Sequence, residues 1–292
     1  MKAANKKLII IAGPTAVGKT SYAIELAKKY NTEIISTDSR QFYRELSIGT
    51  ATPTKEELSA APHHFIGNLS IHDYYNVAIY EKEALAKINE LFLTKDIVIA
   101  VGGSGLYIDA LCYGIDNLPD AEPKLRQNIK DKFAKYGIEY LQDEVRRLDP
   151  EYFEKADINN HKRLQRALEV CIQTGKTYSS QRTEKRIIRD FKIQKIVLNM
   201  PREILYDRIN RRVDLMVKDG LIEEVKGLLP NKELNALNTV GYKELFAHFD
   251  GKITLEQAII DIKTHSRRYA KRQITWFKRY DDFEWINMES KY

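Results

Sequence analysis

Gly13-Pro14-Thr15-Ala16-Val17-Gly18-Lys19-Thr20 is the stretch on which the fold turns. It fits the pattern G-x-x-x-x-G-K-[ST], and its surroundings are those the pattern needs to work. Ahead of it, Lys7–Ala12 is a short, continuous apolar run, the mark of a parallel strand buried on both faces. Behind it, Ala23, Leu26 and Ala27 recur at helical spacing through Lys19–Tyr30. A strand, a glycine-bearing turn and a helix in that order make an anion cradle. The turn aims backbone N–H groups inward, the helix N-terminus adds a partial positive charge, and Lys19 adds a whole one. Gly13 through Thr20 are therefore the expected phosphate-binding residues, and the Thr20 hydroxyl is the expected metal ligand, for Mg²⁺.

Outward from the cradle the alternation continues. Glu33–Thr37 is a second β-branched strand, Asn76–Leu93 has helical periodicity, and Asp96–Val101 is a third buried strand ending in Gly102-Gly103. This order predicts an α/β fold, a P-loop NTPase-like parallel sheet flanked by helices, with ligands at the carboxyl ends of the strands. The character changes near Asn117. Leu118-Pro119 and Glu122-Pro123 mark a boundary, and charged amphipathic stretches follow at Lys124–Arg147, Pro150–Ala156 and Arg163–Thr174. Lys192–Met200 then returns to the sheet, and helices are expected at Glu203–Asp219, Leu221–Leu229, Gly241–Phe249 and Leu255–Tyr280. Residues 1–117 and 191–292 thus read as an α/β core, and residues 118–190 as a helical insertion domain.

Composition narrows the class. The 292 residues are 43% apolar and 30% charged, an ordinary globular balance, and no stretch approaches the roughly 20 apolar residues that span a bilayer. Lys2, Lys6 and Lys7 before Leu8–Ala12 resemble a secretory leader, but the apolar run is short and is cut by Gly13-Pro14. A cytoplasmic protein is expected. Cys112 and Cys171 lie in apolar stretches without metal-ligand neighbours and read as buried thiols. The formal net charge of +6 favours a polyanionic partner. Seven basic residues face one acid between Asp261 and Tyr280, a surplus as large as that of the whole chain.

The cradle alone does not say whose phosphates it holds. Enzymes that use ATP or GTP usually carry an acid at the end of an apolar strand for Mg²⁺. Here Ile97–Val101 runs into Gly102-Gly103-Ser104-Gly105 with no such acid. The carboxylate past a strand end is Asp38, in Ser36-Thr37-Asp38-Ser39-Arg40-Gln41. An Asp there often only caps a turn, but beside a phosphate cradle it is also suited to act as a base. A small-molecule kinase shares the cradle and requires an acidic ligand, which only Asp38 offers. An RNA-binding protein with a vestigial cradle explains the basic surface, yet Lys19, Thr20 and Asp38 are all present.

The chain as a whole resembles the tRNA dimethylallyltransferases, or tRNA isopentenyltransferases. The resemblance is carried by an ordered set: Gly13–Thr20, Thr37–Arg44 with Ile48-Gly49-Thr50-Ala51, Gly102–Tyr107, Arg163–Glu169, Gly241–Glu244 and Tyr269–Phe277. It implies transfer of a dimethylallyl group from dimethylallyl diphosphate to N6 of the adenine on the 3′ side of the tRNA anticodon. It implies catalytic roles for Asp38, Thr20 and Arg212, with Asp38 taking the amine proton. The leaving diphosphate is expected on Lys19, Thr20 with Mg²⁺, and Arg208 or Arg212 of Arg208-Ile209-Asn210-Arg211-Arg212. Contact with the anticodon stem-loop is expected at Asp38, Ser39, Arg40, Gln41, Ser104 and Arg126. The same holds for Lys162-Arg163-Leu164-Gln165-Arg166 and Thr239-Val240-Gly241-Tyr242-Lys243-Glu244. Val17 departs from the small residue usual in the family's cradle, which matters little for a loop that works through its backbone. Ending at Tyr292 without a Cys/His zinc-finger extension, the sequence resembles the bacterial type, and a monomer is expected.

The chemistry fits that implication. An adenine amine is a poor nucleophile, so catalysis must come from positioning, a proton acceptor and stabilisation of a departing diphosphate. The target base must leave its stack, and Phe42, Tyr43 and Tyr107 are expected to pack near it or near the prenyl tail. Other residues read more plainly. His63-His64 and His72 are expected in polar loops or caps, without a metal. Lys263–Arg279 is either a solvated amphipathic face or a source of contacts through Arg267, Arg268, Lys271 and Arg272.

Overall fold

The computed structural model describes residues 6–116, 118–182 and 186–289; Lys2 and Asn117 lie outside this range. In chain order the elements are β1 (Lys7–Ala12), α1 (Lys19–Tyr30), β2 (Ile34–Ser36), α2 (Lys55–Ala60), β3 (His63–His64), α3 (Val77–Leu91), β4 (Ile97–Val101) and α4 (Gly105–Tyr113). Then follow α5 (Pro123–Leu148), α6 (Pro150–Lys155), α7 (His161–Thr174) and α8 (Tyr178–Gln181). The chain returns through β5 (Lys192–Asn199), α9 (Arg202–Lys218), α10 (Leu221–Gly227), α11 (Tyr242–Phe249), α12 (Leu255–Phe277) and β6 (Glu284–Asn287). Two compact units result, one of residues Met1–Tyr113 with Ile188–Tyr292, the other of Gly114–Ile187.

The first unit is built on a six-stranded sheet of order β3-β2-β4-β1-β5-β6, with every neighbour parallel. Its centre follows from composition. Leu8, Ile10 and Ile11 of β1 and Val98 and Ile99 of β4 are fully buried, which only strands covered on both faces achieve. Each such side chain contributes about 1.5–3 kcal/mol relative to leaving it in water. One face packs on α3 and α4 through Tyr80, Ala84, Ile108 and Leu111. The other packs on α1 and α9 through Ala23, Ala27, Leu205 and Ile209. A third cluster, with Val213, Leu221, Tyr242, Leu245 and Ile262, ties α9 to α12.

The second unit holds its own small core, in which Ile129, Leu141 and Val145 of α5 meet Leu164 and Leu168 of α7. Asp149, fully buried, caps α6 through the Tyr152 amide at 3.0 Å. It also accepts from the amide and hydroxyl of Ser179, each at 2.7 Å.

Three expectations need correction. The single helix expected at Lys124–Arg147 is broken at Gly137, whose φ of 77° lies in the region that favours glycine. His63-His64 is a short edge strand paired with Ile34 and Ile35, so Ile97–Val101 is the fourth strand and not the third. A sixth strand at Glu284–Asn287 pairs with β5, beyond the last helix expected at Leu255–Tyr280. Both missed strands are short edges, without the apolar run that marks a central strand. The two cysteines are free and buried, and among the described residues no helix is long and apolar enough to cross a membrane.

Candidate active site

At the carboxyl ends of β1, β2 and β4 a cavity of about 1270 Å³ opens, walled by the cradle, by α9 and by α12. Ligand pockets usually run to roughly 300–1,000 Å³, so this one has room for two reactants side by side. Eight Lys or Arg residues line it against four acids.

The cradle forms one wall. Gly13 and Gly18 take positive φ of 142° and 99°, the sharp curl that turns the loop into α1. Thr15, Ala16, Gly18, Lys19 and Thr20 line the cavity. Gly13 instead backs on Leu198, where an added Cβ would fall 2.5 Å from the carbonyl oxygen. Val17 points into the hydrophobic core and is fully buried, which explains why an apolar residue is tolerated there. Lys19 Nζ donates to the Pro14 carbonyl at 2.7 Å. Burial pushes its amine down to about 7; the Asp38 charge opposes this and Arg212 adds to it. A buried ammonium so disfavoured is poised to recover its charge when an anion arrives.

Two arginines of α9, one helical turn apart, complete that wall. Arg208 Nε donates to the Ala16 carbonyl at 2.8 Å, and Arg212 Nη1 to the Thr15 hydroxyl at 3.2 Å. Burial lowers the pKa of Arg212, with Asp38 and Glu57 opposing. Arg211, 70% exposed, pairs with Asp207 instead. Arg208 and Arg212 are thus the two that touch the cradle.

Asp38 lines the same cavity just past β2, near enough to Lys19 and Arg212 for its charge to act on both. Its Oδ1 accepts from the Arg40 amide at 3.0 Å, and its own amide donates to Ser36 Oγ at 3.3 Å. The turn-cap reading is therefore correct, and the carboxylate lines the cavity as well. The Ser39 amide donates to Ser104 Oγ at 3.0 Å, and that hydroxyl donates to Ser39 Oγ at 3.1 Å. Ser104 backs the wall through Ser39. Arg40 reaches across to the carbonyls of Asn235 and Asn238.

Thr239, Val240, Gly241, Lys243 and Glu244 line the cavity, but Tyr242 is fully buried beneath them. Leu164 is likewise fully buried, in the core of the second unit. Both were expected to touch RNA; Leu164 instead packs in a core beside the exposed Lys162 and Arg163, and Tyr242 packs beneath the exposed Lys243. In the second unit Arg126 is bound bidentately to Glu169 at 2.7 and 3.1 Å, with Glu169 only 5% exposed. Arg166 joins Glu169 and donates to the Pro119 carbonyl at 2.8 Å. Gln165 is half-buried, whereas Lys162 and Arg163 stand exposed on α7. Phe42, Tyr43 and Tyr107, expected near the base or the prenyl tail, are packed off the cavity lining, with Tyr107 close enough to Asp38 to feel its charge. Phe42 packs between Tyr75, Tyr80 and Tyr107 in the core, and Tyr43 is buried elsewhere.

Several wall residues escaped the sequence. Gln273, 5% exposed, accepts from the Thr15 amide and donates to the Gly103 carbonyl, each at 2.9 Å, bracing the cradle against the end of β4. Tyr269 hydrogen-bonds Ser104; burial, reinforced by the Asp38 charge, pushes its phenol up to about 12, so it stays neutral. The spacing of Tyr269, Gln273 and Trp276 on one face of α12 was the available signal. Arg268 and Arg272 line the cavity, while Arg267 donates to Asn210 at 2.6 Å. His63 also lines the cavity, with Nδ1 bonded to the Ala61 carbonyl at 2.7 Å. Among the described residues no group of three His, Cys, Asp or Glu side chains is arranged to hold a metal.

Comparison with known proteins gives a consistent answer. A family model described as IPP transferase matches residues 41–280. The tRNA dimethylallyltransferase of Christiangramia forsetii is 53% identical over 97% of this chain and 93% of its own length. The tRNA dimethylallyltransferase 1 of Bacteroides thetaiotaomicron is 48% identical over 97% and 92%. Among solved structures, the tRNA isopentenylpyrophosphate transferase of Bacillus halodurans is 40% identical with a TM-score of 0.70, over 97% of this chain and 90% of that one. A eukaryotic dimethylallyltransferase acting on tRNA gives 29% and 0.79, over 97% and 74%.

Proposed function

Because the chain belongs to the IPP transferase family, we propose that it transfers a dimethylallyl group from dimethylallyl diphosphate to tRNA, at N6 of the adenine 3′ to the anticodon. One observation carries the reading. A cationic cradle and the Asp38 carboxylate line a single cavity, close enough for the charges to interact, and the strand beside β1 ends in Gly102-Gly103, without an acid.

In this reading the N6 lone pair attacks C1 of the prenyl group as the C–O bond to the diphosphate breaks. Asp38 takes the amine proton. The electron pair of the broken bond leaves on the diphosphate, where Lys19, Arg208, Arg212 and the cradle amides stabilise it. The Thr20 hydroxyl, at the first turn of α1 and lining the cavity beside the cradle, would hold Mg²⁺. Such an ion takes most of its ligands from phosphate oxygens and water. When bound it would neutralise charge on the diphosphate. Outside the cavity we assign RNA phosphate contacts to Lys162 and Arg163, since Arg126 and Arg166 are committed to Glu169. We take the protein to work as a monomer in the cytoplasm, alongside its tRNA substrate.

The test is to incubate the protein with Mg²⁺, unmodified tRNA and either prenyl-labelled dimethylallyl diphosphate or γ-labelled ATP. Label should reach tRNA from the prenyl donor alone. Phosphate transfer from ATP, with no prenyl transfer, would replace this reading with a kinase.

A further inference from the structure

The stretch from Ser47 to Ala51 holds no regular structure, and one side chain takes three of its backbone amides. Glu224 of α10 accepts through Oε2 from the Ser47 amide (3.0 Å), the Ser47 hydroxyl (2.9 Å) and the Ile48 amide (2.7 Å). Through Oε1 it accepts from the Gly49 amide at 3.0 Å and the Tyr242 hydroxyl at 2.6 Å. Three successive backbone amides aimed at one point form the kind of nest that ordinarily holds an anion. Here a carboxylate of the same chain fills it.

Tyr242 closes the other side. A Cβ on Gly49 would fall 2.5 Å from the Tyr242 ring, so only glycine lets the loop lie against it. Burial, with the Glu224 charge next, raises the Tyr242 phenol well above its ordinary range, so it remains a donor. Two separate motifs, Ile48–Ala51 and Gly241–Glu244, thereby meet as one device.

The device connects to the base. Gln41 Nε2 donates to the Thr50 and Ala51 carbonyls at 3.2 and 3.0 Å, and Gln41 Oε1 accepts from Ser36 Oγ at 3.4 Å. Ser36 Oγ in turn accepts from the Asp38 amide. Gly49, Thr50 and Ala51 themselves line the cavity. We propose that Glu224, assisted by Tyr242, is a positioning residue for the acceptor half of the site, holding the Ser47–Ala51 loop and through Gln41 the backbone that carries Asp38. The diphosphate half is braced by other bonds, from Gln273 to Thr15 and from Arg208 to Ala16. The two substrates should therefore feel the loss of Glu224 unequally.

This inference rests on the transferase reading, and one set of measurements separates the two. Glu224→Gln keeps the size but turns an NH₂ group against N–H donors. It should lower kcat/KM for tRNA roughly ten- to hundredfold, while the Kd for inorganic pyrophosphate stays within about twofold of wild type. Tyr242→Phe keeps the ring against Gly49 and removes one of the five bonds, so it should lower kcat/KM for tRNA by a smaller factor. It carries the test if Glu224→Gln fails to fold. Wild-type kcat/KM in the folded Glu224→Gln, or in Tyr242→Phe where it stands alone, overturns the proposal. So do equal losses toward tRNA and pyrophosphate, which mark a merely structural role, and a Tyr242→Phe loss exceeding that of Glu224→Gln. A wild-type protein that transfers no prenyl group overturns the transferase reading and the positioning role with it.

Discussion

Replacing Asp38 by Asn is expected to slow prenyl transfer about a hundred- to ten-thousandfold, the usual contribution of a positioned general base. Asn is the informative choice because of what Asp38 does structurally. Its Oδ1 accepts from the Arg40 amide, and an Asn carbonyl oxygen accepts there equally well. The turn after β2 thus survives, and with it the reach of Arg40 to Asn235 and Asn238. What disappears is the ability to take a proton. The loss should fall on kcat under saturating substrates, with tRNA affinity by filter binding changed by less than about threefold. Equal losses in binding and turnover would make the residue structural.

Replacing Lys19 by Met should lower kcat/KM for the prenyl diphosphate by about a hundred- to a thousandfold, as expected for one donor removed from a developing oxyanion. The variant should also lose a proton-linked signature. Burial holds the Lys19 amine at about 7, far below its ordinary 10.5. A bound diphosphate favours the ammonium, so its pKa rises on binding. Between about pH 7 and the raised value, binding takes up a proton, and affinity falls as pH increases through that window. Calorimetric titration with inorganic pyrophosphate at pH 8, in two buffers of different ionisation enthalpy, reads that uptake as a buffer-dependent heat. The wild type should show a larger uptake than Lys19→Met. Identical buffer dependence in both would remove the charge-recovery argument.

Legibility of this protein varied with the range of the interaction. The cradle is local, six loop residues between an apolar run and a helix, and its strand, turn and helix lie where periodicity put them. Central strands declare themselves by continuous burial, so β1, β4 and β5 were readable. Edge strands β3 and β6 were not, because His63-His64 and Glu284–Asn287 carry no such run. Motif membership proved an uneven guide to side-chain role. Within Gly241–Glu244, Lys243 lines the cavity while Tyr242 holds a loop from below. Within Arg163–Glu169, Arg163 is exposed, whereas Glu169 is a buried counter-charge that occupies Arg126. Glu224 was invisible because it acts on backbone about 175 residues away in the chain, and no local spacing encodes such a partner. Gln273 lay in a legible motif and on a legible helix face, but its bond to Thr15 was not encoded there.

The most direct measurement is a crystal structure of the protein with inorganic pyrophosphate, Mg²⁺ and an unmodified tRNA anticodon stem-loop. Pyrophosphate should lie within the Gly13–Thr20 loop, contacted by Lys19, Arg208 and Arg212, with the amine of a flipped adenine within hydrogen-bonding distance of the Asp38 carboxylate. Pyrophosphate bound elsewhere, or an adenine amine directed away from Asp38, would contradict this mechanism.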